Sequence, residues 1–141
     1  MITIKQLKEI SMKHLDAQSI ELIYILAELD NTIELSDSLL VYPKHLYQLK
    51  DSIELYLFTP NRYLIMATHR DNVTSVKTRS LNKLECIESI ITDECRQLRL
   101  QFDEGECLSF SPNDDTPLIY RREFNHQLKQ IIRYLHDSPL L

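Results

Sequence analysis

Between residues 53 and 110 the chain is a run of short alternating apolar and polar segments, and an amphipathic helix expected over 117–136 closes it. Strands first and one helix last leave few solutions. The apolar side of an antiparallel sheet must be covered, and the final helix is the element available to cover it. Ile53, Leu55 and Leu57 alternate with Glu54, Tyr56 and Phe58, and Thr59-Pro60-Asn61-Arg62 forms a turn. Further strands are expected over 63–68, 73–79 and 84–91, divided at Asp71-Asn72 and ended by Thr92-Asp93-Glu94.

The sharpest local expectation concerns the next hairpin. Leu98, Leu100 and Phe102 share one face, with Arg99 and Gln101 on the other. A two-residue loop at Glu104-Gly105 would pair Leu100 with Ser109 and misalign the apolar faces. A three-residue loop, Asp103-Glu104-Gly105, pairs Leu100 with Leu108 and Leu98 with Phe110. It also puts the chain's single glycine where a left-handed backbone is wanted. In the closing helix Phe124, Leu128, Ile131, Ile132 and Leu135 recur at three- and four-residue steps. Ser111 to Asp115 reads as a loop, Thr116 or Asp115 as the cap, Pro117 as an early helical position and Ser138-Pro139 as the stop.

Before the strands, residues 1–31 read as a helical extension. Thr3 and Gln6 have the spacing of a capping box, and Ile4, Leu7, Ile10 and Leu15 give a first helix near 3–15. From Gln18 to Leu29 the apolar residues cover most of the circumference, which predicts a second helix buried on the domain or on a partner copy. Leu39 to Tyr42 reads as a short strand, and Pro43 as the opening of a helical turn through Leu49. The whole chain of 141 residues is then one α+β domain, with 39–137 forming the sheet and its capping helix.

Composition removes several functions. One glycine excludes glycine-rich phosphate loops and dinucleotide fingerprints. The longest apolar runs are too short to cross a bilayer, so no stable membrane insertion is expected. The start of the sequence lacks a basic-then-apolar signal segment, which points to the cytoplasm. Cys86, Cys95 and Cys107 do not make a disulfide framework and read as buried or half-buried thiols on strands. The five histidines lack zinc-ligand spacing, and His126 and His136 lie roughly 15 Å apart along one helix. Acid pairs at 103–106 and 114–115 sit at turns, where they solvate loops or cap helices. No serine stands in a nucleophile elbow. Neither a catalytic set nor a cofactor is implied.

Leu39 to His136 resembles the bacterial pleckstrin-homology-like domains. The resemblance is carried by the short strand, the segment Phe58-Thr59-Pro60-Asn61-Arg62-Tyr63-Leu64-Ile65, further strands, the Asp103-Glu104-Gly105 hairpin and the final helix. The chain as a whole is similar to a small family from bacilli whose members have no assigned activity. The resemblance implies a bent antiparallel sheet or partly open barrel plugged by the C-terminal helix. It implies a binding or assembly role and no catalytic residues.

Charge is segregated. From 61 to 84 Arg62, Arg70, Lys77, Arg79 and Lys83 face Asp71 alone, a net of +4; from 85 to 115 nine acids face Arg96 and Arg99, a net of −7. The total of −5 argues against a nucleic-acid partner. Segregated charge of this kind also protects sheet edges. Arg62, Lys77, Arg79 and Lys83 are the candidate anion- or partner-binding residues, facing an acidic protein, a second copy or an anionic lipid headgroup. The expectation is a non-catalytic cytoplasmic binding or assembly module with no cofactor. The alternative is a small-ligand or anion binder, or an enzyme with a pocket between helices and sheet.

Overall fold

A computed structural model describes residues 2–13, 16–36, 38–93 and 95–137. His14 and Leu15 of the expected first helix, Glu94 of the expected break and the Ser138-Pro139 stop lie outside the described residues. Two helices, α1 (Ile4–Lys13) and α2 (Ala17–Thr32), precede β1 (Leu40–Lys44), β2 (Glu54–Phe58), β3 (Tyr63–Arg70) and β4 (Val73–Ser80). A 3-10 turn at Leu81–Lys83 leads into β5 (Leu84–Ile91), β6 (Arg96–Phe102) and β7 (Cys107–Phe110). A one-turn helix, α3 (Pro112–Asp115), and α4 (Arg121–His136) complete the chain. The strands form two antiparallel sheets, β1-β2-β3-β4 and β5-β6-β7, which do not close on one another. The class is α+β.

The local signals explain most elements. Thr3 and Gln6 exchange the two bonds of a capping box at 3.1 and 3.2 Å. Asp16 caps α2 by accepting from the Ser19 N–H at 2.8 Å. Asp71 and Asn72 both take positive φ, 52° and 62°, as a two-residue hairpin between right-twisted strands requires. The β6–β7 hairpin has the expected three-residue loop: Leu98 pairs with Phe110, Leu100 with Leu108, and Gly105 sits at φ 88°.

The register of the four-stranded sheet sorts its side chains into two apolar faces. Val41, Pro43, Leu55, Leu57, Ile65 and Ala67 share the face on which α2 packs. Tyr42, Tyr56 and Phe58 face the other way, and all three rings make T-shaped contacts with Phe110 from the second sheet, at 5.1, 4.8 and 6.2 Å between centroids. The expected seal is present. Phe124, Leu128, Ile131 and Leu135 of α4 are buried, as are Leu98 and Leu100, and α4 lies against β1 and β6.

Several expectations are corrected. Pro43 does not open a helical turn; it lies within β1, opposite Leu55. The neighbouring Val41 carbonyl points off the sheet to Gln127, so by alternation the missing N–H of Pro43 also falls on the outer edge, where no ladder bond is lost. The closing helix does not run unbroken from Pro117. Residues 112–115 form α3 instead of a loop, a 3-10 turn occupies Leu118–Tyr120, and neither Asp115 nor Thr116 caps α4. α2 is not buried all round: Ile20, Ile23 and Tyr24 are exposed because the layer holds only two helices. Cys86 and Cys107 are exposed rather than buried, and Cys95 lies between strands.

Candidate functional site

The four cations singled out from the sequence do not converge. Arg62 adopts φ 70° at the β2–β3 turn and reaches the end of α4, donating to the Tyr134 carbonyl at 3.1 Å with its guanidinium over the Tyr134 ring. It therefore satisfies a helix C-terminus, where a cation is favoured. Lys77 and Arg79 share a face of the sheet with Met66 and Leu64, so they point into the space between the sheets. There the β6–β7 loop meets them: Lys77 pairs with Glu106 at 3.1 Å, while Arg79 bonds Glu106, reaches Glu104 at 3.6 Å and lies over Phe102 at 4.2 Å. The basic strand and the acidic hairpin thus complement each other within one chain. Lys83 is exposed, and its carbonyl accepts from Asp103 at the same hairpin.

Near β1 the chain gathers polar groups that sequence reading did not foresee. Asp115, expected to solvate a turn, is buried and accepts from the Tyr42 hydroxyl and the Ser111 N–H, both at 2.7 Å, with Lys44 at 3.9 Å. Burial pushes its carboxyl above the usual aspartate range despite those donors. Burial and the Asp115 carboxylate hold the Tyr42 phenol far above its ordinary value. Tyr56 donates to Glu54, which also takes Arg70 at 3.1 Å.

Gln18, on the sheet side of α2, organises the loop after β1. Its amide nitrogen donates to the carbonyls of His45, Gln48 and Asp51 at 2.6, 2.9 and 3.0 Å, and its oxygen accepts from the Tyr47 N–H at 2.8 Å. This holds His45 and Tyr47 at φ 73° and 72°, a conformation that few residues adopt unaided. The Tyr47 ring stacks on Tyr120 at 3.9 Å and borders a cleft of about 300 Å³ between α1 and α4. No sequence signal marks Gln18, because a glutamine within a helix is unremarkable until its neighbours are known.

The sheet edges differ in how they are protected. Along β1, the outward Val41 carbonyl is taken by Gln127 at 2.8 Å. β7 has four residues, and its Ser109 carbonyl accepts from Lys44. β4 carries Lys77 and Arg79, the kind of charge that discourages pairing. β5 is eight residues long and carries no lysine, arginine or proline. The Phe102 N–H bonds Glu106 across the hairpin, and β6 alternates from there. Gln101, Arg99 and Gln97 accordingly turn their backbone groups toward Cys86, Glu88 and Ile90. That leaves the N–H and C=O groups of Ile87, Ser89 and Ile91 pointing away from the sheet. Ile90 and Ile91 are exposed beside them, at 38% and 60%. Glu85, Glu88 and Asp93 make this edge acidic, and Glu88 meets Arg99 at 3.2 Å.

Among the described residues no group of three or more His, Cys, Asp or Glu is arranged to hold a metal ion. Among them, too, no helix is long and apolar enough to cross a membrane. No family model, curated protein or solved structure matches the chain.

Proposed function

We propose that this protein is a non-catalytic binding and assembly module that takes up an extended segment of a partner protein along the edge of β5. Among the described residues no hydrogen bond covers this edge, and that carries the reading. Outward backbone groups recur at every second residue, and exposed isoleucines lie beside them. An added strand would gain its affinity from ladder bonds and its specificity from alternate side chains. Three acids and no base over residues 85–93 favour a segment bearing lysine or arginine among apolar residues. Four strands, then three, then a sealing helix support the kinship with pleckstrin-homology-like domains, and exposed free cysteines support a reducing, cytoplasmic setting. The anion-pocket alternative has less behind it, since Arg62, Lys77 and Arg79 already have acceptors within the chain.

Selection from a random peptide library tests the proposal, with Ser89→Pro as the control. The Ser89 N–H points off the sheet, so proline there removes an outward donor and leaves the β5–β6 ladder intact. Enriched peptides are expected to be basic and extended, and to lose at least tenfold in affinity for Ser89→Pro. Peptides that bind the variant equally well would overturn the reading.

A further inference from the structure

α2 is a helix with two apolar sides. Steps of about 100° per residue place Gln18, Leu22, Leu26 and Leu29 toward the four-stranded sheet. Opposite them stand Ile20, Tyr24 and Ala27, all exposed, with Ile23 beside them. Tyr24 stacks on His69 at 4.3 Å and 7°, so its ring is held in place while one side stays open. This is an unpartnered apolar stripe of four residues, fixed on a rigid element.

The flanks of the stripe name its occupant. On one side lie Glu28 and Glu21, the latter accepting from the Ile53 N–H; on the other α1 runs alongside, with Lys5 and Lys8 against Asp30, while Lys13 and Glu9 of α1 line the cleft toward α4. Lys8 reaches Asp30 at 3.9 Å, so its ammonium stands level with the last turns of α2. When two such helices pack in parallel about a twofold axis along their length, the α1 flank of each faces the Glu21–Glu28 flank of the other. Heights along the axis are then shared, which sets Lys8 of one copy opposite Glu28 of the second. An antiparallel pair would instead bring the two acidic flanks together. The surface is self-complementary only in the parallel arrangement.

We infer that the outward face of α2 binds a second copy of this chain, α2 against α2 in parallel. The surface lies on the helical layer and is separate from the β5 edge, so it stands whether or not β5 takes a partner strand. A helix of 16 residues is about 24 Å long. Its face falls short of the roughly 800 Å² per partner of a standard interface, so the dimer is a weak one, to be sought at about 10–100 μM.

Sedimentation of the full chain over that concentration range, at low and high salt, is the test. The weight-average mass is expected to climb from 16.7 kDa toward twice that value, less steeply at high salt. Ile23→Lys, at an exposed site, is expected to weaken association at least tenfold with an unchanged circular dichroism spectrum. Lys8→Glu and Glu28→Lys should each weaken it several-fold and restore it together. A mass fixed at the monomer value would overturn the inference. So would a dimer indifferent to Ile23→Lys, or one strengthened by Glu28→Lys alone.

Discussion

Phe110→Ala is expected to destabilise the fold by about 3–5 kcal/mol, the usual range for deleting a buried phenylalanine. Phe110 is the end of β7 and is 1% exposed. Its ring is a point where the two sheets meet: Tyr42 and Tyr56 lie nearly perpendicular to it from one sheet, with Phe58 slightly farther off. Such edge-to-face contacts add to the burial itself. Alanine would leave a void lined by three aromatic rings and by Lys44, whose ammonium lies 5.9 Å from the ring. Phe110→Leu keeps most of the volume and should cost about 1–2 kcal/mol. Urea titration of the three proteins measures this as a shift in midpoint at constant slope. A loss below about 1 kcal/mol for the alanine variant would mean that the sheets do not share an interior at this point.

Gln18→Ala is expected to cost about 3–5 kcal/mol, through unsatisfied backbone groups more than through lost volume. Three carbonyls and one N–H of residues 45–51 meet this one amide, which is 4% exposed; the His45 and Gln48 carbonyls also accept a backbone N–H, so the Asp51 carbonyl and the Tyr47 N–H are the groups left unsatisfied. Two amide hydrogens serve three carbonyls, so one hydrogen is shared. Gln18→Glu is nearly isosteric but replaces the donor with a carboxylate facing those carbonyls, and it should be worse than alanine. Thermal unfolding separates the cases, with the order wild type, alanine, glutamate from most to least stable. If glutamate equals wild type, the loop is held by something other than this amide.

The sheet and its seal were legible because their signals are local and repeated. Period-2 alternation set the strands, and the position of Gly105 settled a register that pairs Leu100 with Leu108. The three- and four-residue spacing of Phe124, Leu128, Ile131 and Leu135 identified the buried face of α4. Pro43 reads as a helix opener because a proline that opens a helix and one on a sheet edge look alike until the edge is known. The buried state of Asp115 was hidden for a similar reason: its partner Tyr42 is 73 residues away. The charge segregation was visible, but sequence alone did not show that Lys77 and Arg79 meet Glu106 within one chain. The β5 edge was beyond reach as well, since a strand's place at an edge depends on pairing order and not on its own residues.

Residue-resolved amide hydrogen exchange along β5 tests the central claim most directly. An open edge predicts alternation: Cys86, Glu88 and Ile90, whose amides face β6, should be protected, while Ile87, Ser89 and Ile91 exchange nearly as fast as unstructured chain. Adding a selected basic peptide should then slow Ile87, Ser89 and Ile91 and leave the other three unchanged. Uniform protection across residues 86–91 without any peptide would show the edge already paired, and it would contradict the account.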